Sequence, residues 1–343
     1  MKNKKLLLIG PSAGSVHLQN YYNLIVDEFE EVFVISEQEV TFARGAVVDF
    51  SIKKPQTIPK KIKVIRKLIA EFNPDFIHVH QANSCALLAI KANKNRVPLV
   101  LTTWGSDVLL LPKRSRFFHW LVKFVLRNAD SITADAKFMI EAIQKLDPKS
   151  KVVLVNFGID YEDVQIPVKE KIIYSNRLHH DLYNIDTILK TFLQFSQTNP
   201  DWKLVIGANG ARTEELKKTA ENSGNSQIEF IGFVDSETNK DYYLKAKIWV
   251  SIPSSDGTSI SLLEAMGYGC IPVASDLPAN REWVKDGQNG VLVKDSLLTA
   301  LNRATEMDGL KVIEMNKEIV MKLATKDVSR EKFLKIYKSL LKN

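Results

Sequence analysis

Short β-rich apolar runs that alternate with longer stretches of helical periodicity predict an α/β fold of two doubly wound, parallel-sheet domains. Three observations carry that prediction. The alternation itself implies parallel strands joined by right-handed crossovers. The rhythm lapses once near the middle of the chain and then restarts. The length of 343 residues also exceeds the size at which single hydrophobic cores usually stop growing.

The first half opens on KLLLIG, a strand that runs into a Gly/Ser loop. Basic residues precede it, yet the apolar run Leu6–Ile9 is too short for the core of a secretory leader. HLQNYYNLIVDEF follows with helical spacing, then the strand EVFVIS and the helical segment IKVIRKLIAEF. FIHVH, PLVLTTW, SITA and KVVLVN complete the strands of this half. FGIDYEDVQIPVKE breaks the rhythm with polar residues and a proline, and reads as the seam. The second half repeats the plan with KIIYSN, WKLVIG, IEFIGFV, KIWVSIP, CIPVAS and GVLV as strands. NIDTILKTFLQFSQ and TEELKKTAENS are two of its helices. DVSREKFLKIYKSLLKN ends the chain as an amphipathic helix with no strand after it. The expected division is an N-terminal domain at 1–160, a C-terminal domain at 161–325, and a helix at 326–343 packing back toward the N-terminal domain. In such sheets ligands bind beyond the carboxyl ends of the strands, so two facing domains would share a central cleft.

Composition narrows the class. With 45% hydrophobic and 25% charged residues the chain is neither disordered nor fibrous. Cys85 and Cys270 are too few for a disulfide framework or a Cys-rich metal site, which fits a reducing cytosol. No apolar run approaches the length of a membrane span, so a soluble or peripheral protein is expected. Residues 1–165 carry 23 Lys/Arg against 17 Asp/Glu, most of the net charge of +7. The first half is therefore the better candidate to meet an acidic surface.

The densest chemistry lies in SSDGTSISLLEAMGYGCIPVASD, residues 254–276. Thr258 and Ser259 suit a helix N-cap, and Gly257 lets a ligand approach the backbone. Free amides and the helix dipole make that end an anion site. Asp256 sits at the loop, and Glu264 lies roughly 7–8 Å further along the helix, among apolar neighbours. Ionised carboxylates only accept hydrogen bonds, so sugar hydroxyls are their natural partners. A merely capped helix with one exposed Glu is the competing explanation.

SDGTSISLLEAMGYGCIPVASDLPANREWVKDGQNGVLV resembles the C-terminal signature of family 4 glycosyltransferases, which have the GT-B fold. The family pattern is Glu, seven residues, Glu, then Ala-Met, and later an Asn-Gly pair. Here Asp256 stands in the first acidic position, while Glu264, Ala265 and Met266 match. The resemblance implies that Glu264 holds the ribose of a nucleotide, that Asp256 contacts the donor sugar, and that Gly257, Thr258, Ser259 and Ile260 face sugar or phosphate. It also makes Arg177, in IIYSNRLHHDLYNID, a clamp for the donor diphosphate. The lysine the family places nearby is absent. His179, His180, Tyr183 and Asn184 are the local polar substitutes.

In the first half the resemblance points to the loop after the first strand, with Gly14 and Ser15 toward the donor and His17 toward the acceptor. The Gly-x-Gly-x-x-Gly spacing of dinucleotide sites is missing there. FIHVHQANS and LTTWGSDV end two further strands and offer His80, Trp104 and Asp107 as acceptor-side residues. Of His78 and His80, only one is expected to face the cleft, and His80 lies nearer the strand end. Trp104 occupies the position where the family often has His, and Asp107 could orient or deprotonate an acceptor hydroxyl. Finally, PKRSRFFHWLVKFVLRNA sets Lys113, Arg114, Arg116, Lys123 and Arg127 among Phe117, Phe118, Trp120 and Phe124, with no acid. That composition suits an interfacial helix on anionic lipid as well as a core helix with solvated charges.

The expectation is a retaining glycosyltransferase that moves a sugar from a nucleoside diphosphate to an acceptor hydroxyl on a saccharide or lipid-linked saccharide. Asp107, Arg177 and Asp256 are its candidate catalytic residues. Retention and independence of a metal ion or other cofactor are what the resemblance implies, in agreement with the missing Asp-x-Asp metal motif, and no nucleic-acid partner is expected because no nucleic-acid motif accompanies the charge. The expected location is the cytoplasm, either free or peripheral on the inner face of the plasma membrane. A nucleotide-sugar epimerase of the same fold and a non-catalytic nucleotide-sugar-binding subunit are the rivals.

Overall fold

The computed structural model describes residues 1–11 and 16–341. The chain forms two compact units, Met1–Phe157 with Lys326–Asn343, and Gly158–Thr325. Each is built on one parallel sheet, so the α/β, doubly wound expectation holds. The first sheet comprises β1 (Lys5–Ile9), β2 (Glu31–Ser36), β3 (Gly45–Val47), β4 (Phe76–His80), β5 (Leu99–Thr102), β6 (Ser131–Ala134) and β7 (Val152–Leu154), in the order β3-β2-β1-β4-β5-β6-β7. The second comprises β8 (Glu170–Ser175), β9 (Lys203–Gly207), β10 (Ile228–Gly232), β11 (Ala246–Ser251), β12 (Ile271–Ser275) and β13 (Val291–Val293), in the order β10-β9-β8-β11-β12-β13. β3 has no counterpart in the sequence reading. It is a three-residue, largely exposed strand beside β2, too short to show a period.

Both faces of each sheet are covered, which explains why the strands read as continuous apolar runs. Along β1, Leu7 and Ile9 enter one core cluster while Leu6 and Leu8 enter the cluster on the other face. The second cluster is completed by the C-terminal helix Lys326–Leu340, whose Phe333, Ile336 and Tyr337 are buried in it. Tyr337 Oη lies 2.6 Å from Tyr21 Oη and 2.5 Å from His78 Nδ1. Ser329 Oγ donates to Asn156 Oδ1 at 3.1 Å, and Arg330 Nε to the Leu24 carbonyl at 2.9 Å. These polar contacts satisfy groups that burial would otherwise leave costly. In the second unit the two faces are likewise packed, one around Phe192, Phe195 and Ile248, the other around Tyr174, Trp249 and Leu263.

Strand order reverses between β1 and β4 in the first sheet and between β8 and β11 in the second. Such switch points leave a crevice at the carboxyl ends of the two strands. Backbone strain gathers near these ends: Gln81 after β4 and Ala208 after β9 have φ of 73° and 70°, a region that side chains disfavour.

The basic aromatic segment is helical but broken. Leu111–Arg114 and Arg116–Arg127 meet at Ser115, whose Oγ accepts from the Phe118 amide at 3.2 Å and caps the longer piece. Leu121, Val122, Val125 and Leu126 enter the core, whereas Phe117 and Trp120 remain 50% and 52% exposed.

Candidate functional site

At the switch point of the second sheet, β8 and β11 pair in parallel and release their loops side by side. The loop after β8 carries Arg177 and the loop after β11 carries Asp256. Arg177 Nη2 donates to Asp256 Oδ2 at 2.6 Å, and Nη1 donates to Ser259 Oγ at 2.5 Å. The same Oγ accepts from the Leu262 amide at 3.3 Å and caps the helix Ile260–Gly267. One hydroxyl thus joins the cation to the helix start. Gly257 N–H donates to Asp256 Oδ1 at 3.0 Å. Burial pushes the Asp256 carboxyl above its usual range, and the Arg177 charge opposes that shift.

Tyr183 supplies a face rather than a charge, with the Arg177 guanidinium 4.5 Å from its ring centroid. Asn184, in the left-handed region at φ 52°, sends Nδ2 to the Ile252 carbonyl at 2.8 Å and so ties its helix to the end of β11. His179 is buried, with Nε2 3.1 Å from the Gly207 carbonyl and Nδ1 2.9 Å from Thr213 Oγ1. It pins the loop. His180 is exposed.

Glu264 is half-buried one side of the same helix and accepts from Tyr243 Oη at 3.0 Å. Behind it runs a chain of polar groups. Tyr243 Oη accepts from Asn176 Nδ2 at 2.7 Å, and Asn176 Oδ1 accepts from Trp249 Nε1 at 2.9 Å. Tyr174 Oη and Asn176 Nδ2 both donate to Asn239 Oδ1. The chain fixes the Glu264 rotamer from within the core. Burial, and after it the Glu264 charge, holds the Tyr243 hydroxyl far above its ordinary range, so it stays a donor. Sequence reading passed over Tyr243, Asn176 and Asn239, because nothing local marks a tyrosine 21 residues away as a partner of Glu264. Gly257 and Thr258 are half-buried, and Ile260 is 42% exposed. The structure therefore brings Arg177, Asp256, Ser259 and Glu264 onto one helix start and its neighbouring loop.

The first sheet ends differently. Trp104 Nε1 donates to His80 Nδ1 at 3.1 Å. An indole N–H can only donate, so the neutral His80 ring carries its proton on Nε2. That Nε2 has no hydrogen-bond partner among the described residues. Burial pushes the His80 pKa down to about 3, so the ring stays neutral. His78 and His80, two positions apart, share one face of β4 and stack at 4.9 Å between centroids. The alternation with Val79 therefore sets both rings on the same side of the strand and does not turn one away from the other. Both are fully buried. His17 is exposed, its ring 5.1 Å from that of Trp104. Asp107 is 3% exposed, and its two oxygens accept from the Ala82 amide at 2.7 Å and the Trp104 amide at 3.0 Å. Burial raises its carboxyl, and these amides oppose the rise. Gly105, at φ 98°, makes the turn that lets the carboxylate reach back to Trp104. Gly14 and Ser15 lie outside the described residues.

Residues 159–307 match the family model for glycosyl transferases group 1, and residues 5–136 match that for glycosyl transferase 4-like proteins. Among curated relatives, an uncharacterized glycosyltransferase of Methanocaldococcus jannaschii is 28% identical over 60% of this chain and 55% of its own length. The phosphatidyl-myo-inositol mannosyltransferase of Mycolicibacterium smegmatis is 26% identical over 74% of this chain and 68% of its own. The alpha-monoglucosyldiacylglycerol synthase of Streptococcus pneumoniae is 20% identical over 78% and 65%. The matched part of this chain thus spans about half to two thirds of these relatives. Among solved structures, Anabaena HepE in complex with UDP superposes with a TM-score of 0.81 at 14% identity, covering 98% of this chain and 100% of that one. With two glycosyltransferase models laid end to end along its two parallel sheets, this chain belongs to the family 4 type of glycosyltransferases and has their GT-B fold.

Proposed function

We propose that this chain is a retaining, metal-independent glycosyltransferase that moves a sugar from a nucleoside diphosphate to an acceptor hydroxyl. The observation that carries the reading is the meeting of Arg177, Asp256 and Ser259 at a helix start, one helical turn before a Glu264 that the core holds in place. In this reading Glu264 accepts from the ribose hydroxyls and Asp256 from the donor sugar. Arg177 and the helix start at residues 258–260 receive the charge that develops on the leaving diphosphate. Groups aimed at developing charge are often worth ~10²–10³ in rate apiece. Tyr183 steadies Arg177 where the family has a second cation. HepE, the structural neighbour, is described with UDP, UDP and glucose, and UDP-glucose, which makes uridine the first base to try.

On the acceptor side we assign His17 and Trp104 to binding, with the buried His80 orienting the Trp104 indole through Nδ1. The environment of Asp107 favours a positioning role over proton abstraction, because both its oxygens are engaged by backbone amides. The acceptor we propose is a lipid-linked saccharide met at an anionic membrane face. Support comes from Leu110, Phe117 and Trp120, exposed at 57%, 50% and 52%, beside the exposed Lys113, Arg114 and Arg116. Two relatives carry names with lipid acceptors, phosphatidyl-myo-inositol mannosyltransferase and alpha-monoglucosyldiacylglycerol synthase. No helix among the described residues is long and apolar enough to cross a membrane.

A thermal-shift panel of nucleotides and nucleotide sugars tests the donor site. Ligand at a hundredfold its dissociation constant adds about 2.7 kcal/mol, and a panel in which nothing raises the melt would sink the reading. Flotation with vesicles containing anionic lipid tests the surface. The protein should rise with them, and the Phe117→Ser/Trp120→Ser double variant should stay at the bottom. The rival, a nucleotide-sugar-binding subunit without turnover, draws on the engaged state of Asp107. Binding without any release of sugar to hydroxyl acceptors would favour it.

A further inference from the structure

Arg177 already holds an anion. Its two terminal nitrogens are taken by Asp256 and Ser259, a ring of Tyr183 covers one face, and the side chain is 11% exposed. A phosphate that docks end-on across Nη1 and Nη2 competes with these two partners for the fork. Ser259 is the harder one to move, since its Oγ also caps the helix. The Asp256 carboxylate is the one that yields. It is itself only 22% exposed, so losing its cation leaves a largely desolvated charge next to a second charge of the same sign. A ligand that brings hydroxyl donors to that spot compensates it, because an ionised carboxylate only accepts. A bare nucleoside diphosphate brings none.

We propose that Asp256 is a specificity-determining residue that exchanges between Arg177 and the hydroxyls of the donor sugar, so that the site favours an intact nucleotide sugar over the spent nucleoside diphosphate. The proposal rests on the donor-site reading above. The Gly257 amide donates to Oδ1 at 3.0 Å, which leaves Oδ2 as the oxygen that changes partner. Once the sugar has left, the carboxylate competes with the diphosphate for Arg177 and hastens its departure. An aspartate at this position keeps the carboxylate within reach of both the loop amide and the guanidinium.

Isothermal titration of the full chain at one ionic strength tests this, with UDP, UDP-glucose and inorganic pyrophosphate as probes. Asp256→Asn should bind UDP and pyrophosphate about fivefold tighter, the scale of one lost competing ion pair. It should bind UDP-glucose no tighter than the wild type does, so the preference for the sugar-bearing ligand collapses. Asp256→Ala carries the same expectation for UDP and pyrophosphate, and decides the matter if the first variant folds poorly. Unchanged or weaker binding of UDP and pyrophosphate in both variants overturns the exchange, while leaving the donor site standing if UDP-glucose still binds. Failure of the wild type to bind any of the three probes overturns the donor-site reading and the exchange with it.

Discussion

The carboxyl end of the second sheet is built from charges, and that of the first is built from rings. In the second unit an ion pair, a helix start and an oriented carboxylate converge within one loop and one helix. In the first, His80, Trp104 and His17 lie ring against ring, and the nearby carboxylate of Asp107 is turned inward onto amides. The difference fits the donor and acceptor roles we propose for the two ends. A diphosphate needs a fixed cation and unpaired amides, whereas a neutral, hydroxyl-bearing molecule needs apolar faces and a few directed donors. The contrast also separates the costs. Charges near the surface of the second unit must be held apart from solvent by neighbours, while the first unit buries His78 and His80 neutral, burial holding both below the usual histidine range.

Substitutions at four positions would break or sharpen this contrast. Arg177→Ala should cut the transfer rate by ~10²–10³, and Arg177→Lys should restore only part because it loses the planar fork. A rate within a few-fold of wild type would place the charge-bearing work elsewhere. Tyr337→Phe should come next, through stability alone. It strips His78 Nδ1 and Tyr21 Oη of a buried partner, costing about 1–3 kcal/mol in denaturant unfolding, and nucleotide affinity should hold. Loss of nucleotide binding together with stability would show that the two ends are not independent. Tyr243→Phe should weaken nucleotide binding roughly 3- to 10-fold, since Glu264 loses the hydroxyl that Tyr243 donates from the core. An unchanged dissociation constant would mean that the helix alone orients Glu264. The smallest effect belongs to Trp104→Phe, which keeps the ring and removes the N–H to His80, at about 0.5–1.5 kcal/mol. Nitrogen chemical shifts of His80 should then report a mixed tautomer, and a ring still protonated only on Nε2 would contradict the geometry described.

Much of the fold could be read along the chain because both faces of both sheets are buried. Runs such as KLLLIG and KIWVSIP stand out when neither side can be polar. β3 escaped because Gly45–Val47 is an exposed edge of three residues, where packing imposes no pattern. The same logic divides the site. Asp256, Ser259 and Glu264 lie on one loop and one helix inside a single stretch of the family signature, and that resemblance, with the place of Arg177 after a strand, is what made them legible together. Tyr243, Asn176 and Trp249 come from other elements and meet only once the second unit has folded.

The amino-acid sequence by itself determined two parallel sheets and a helix start bearing two spaced acids, because periodicity and local spacing are properties of neighbouring residues. Only the tertiary structure decided that Arg177 is already paired with Asp256, that Asp107 turns inward, and that His78 and His80 share a buried face capped by Tyr337. Those outcomes depend on which groups lose water together, and water is lost only when distant segments close over one another.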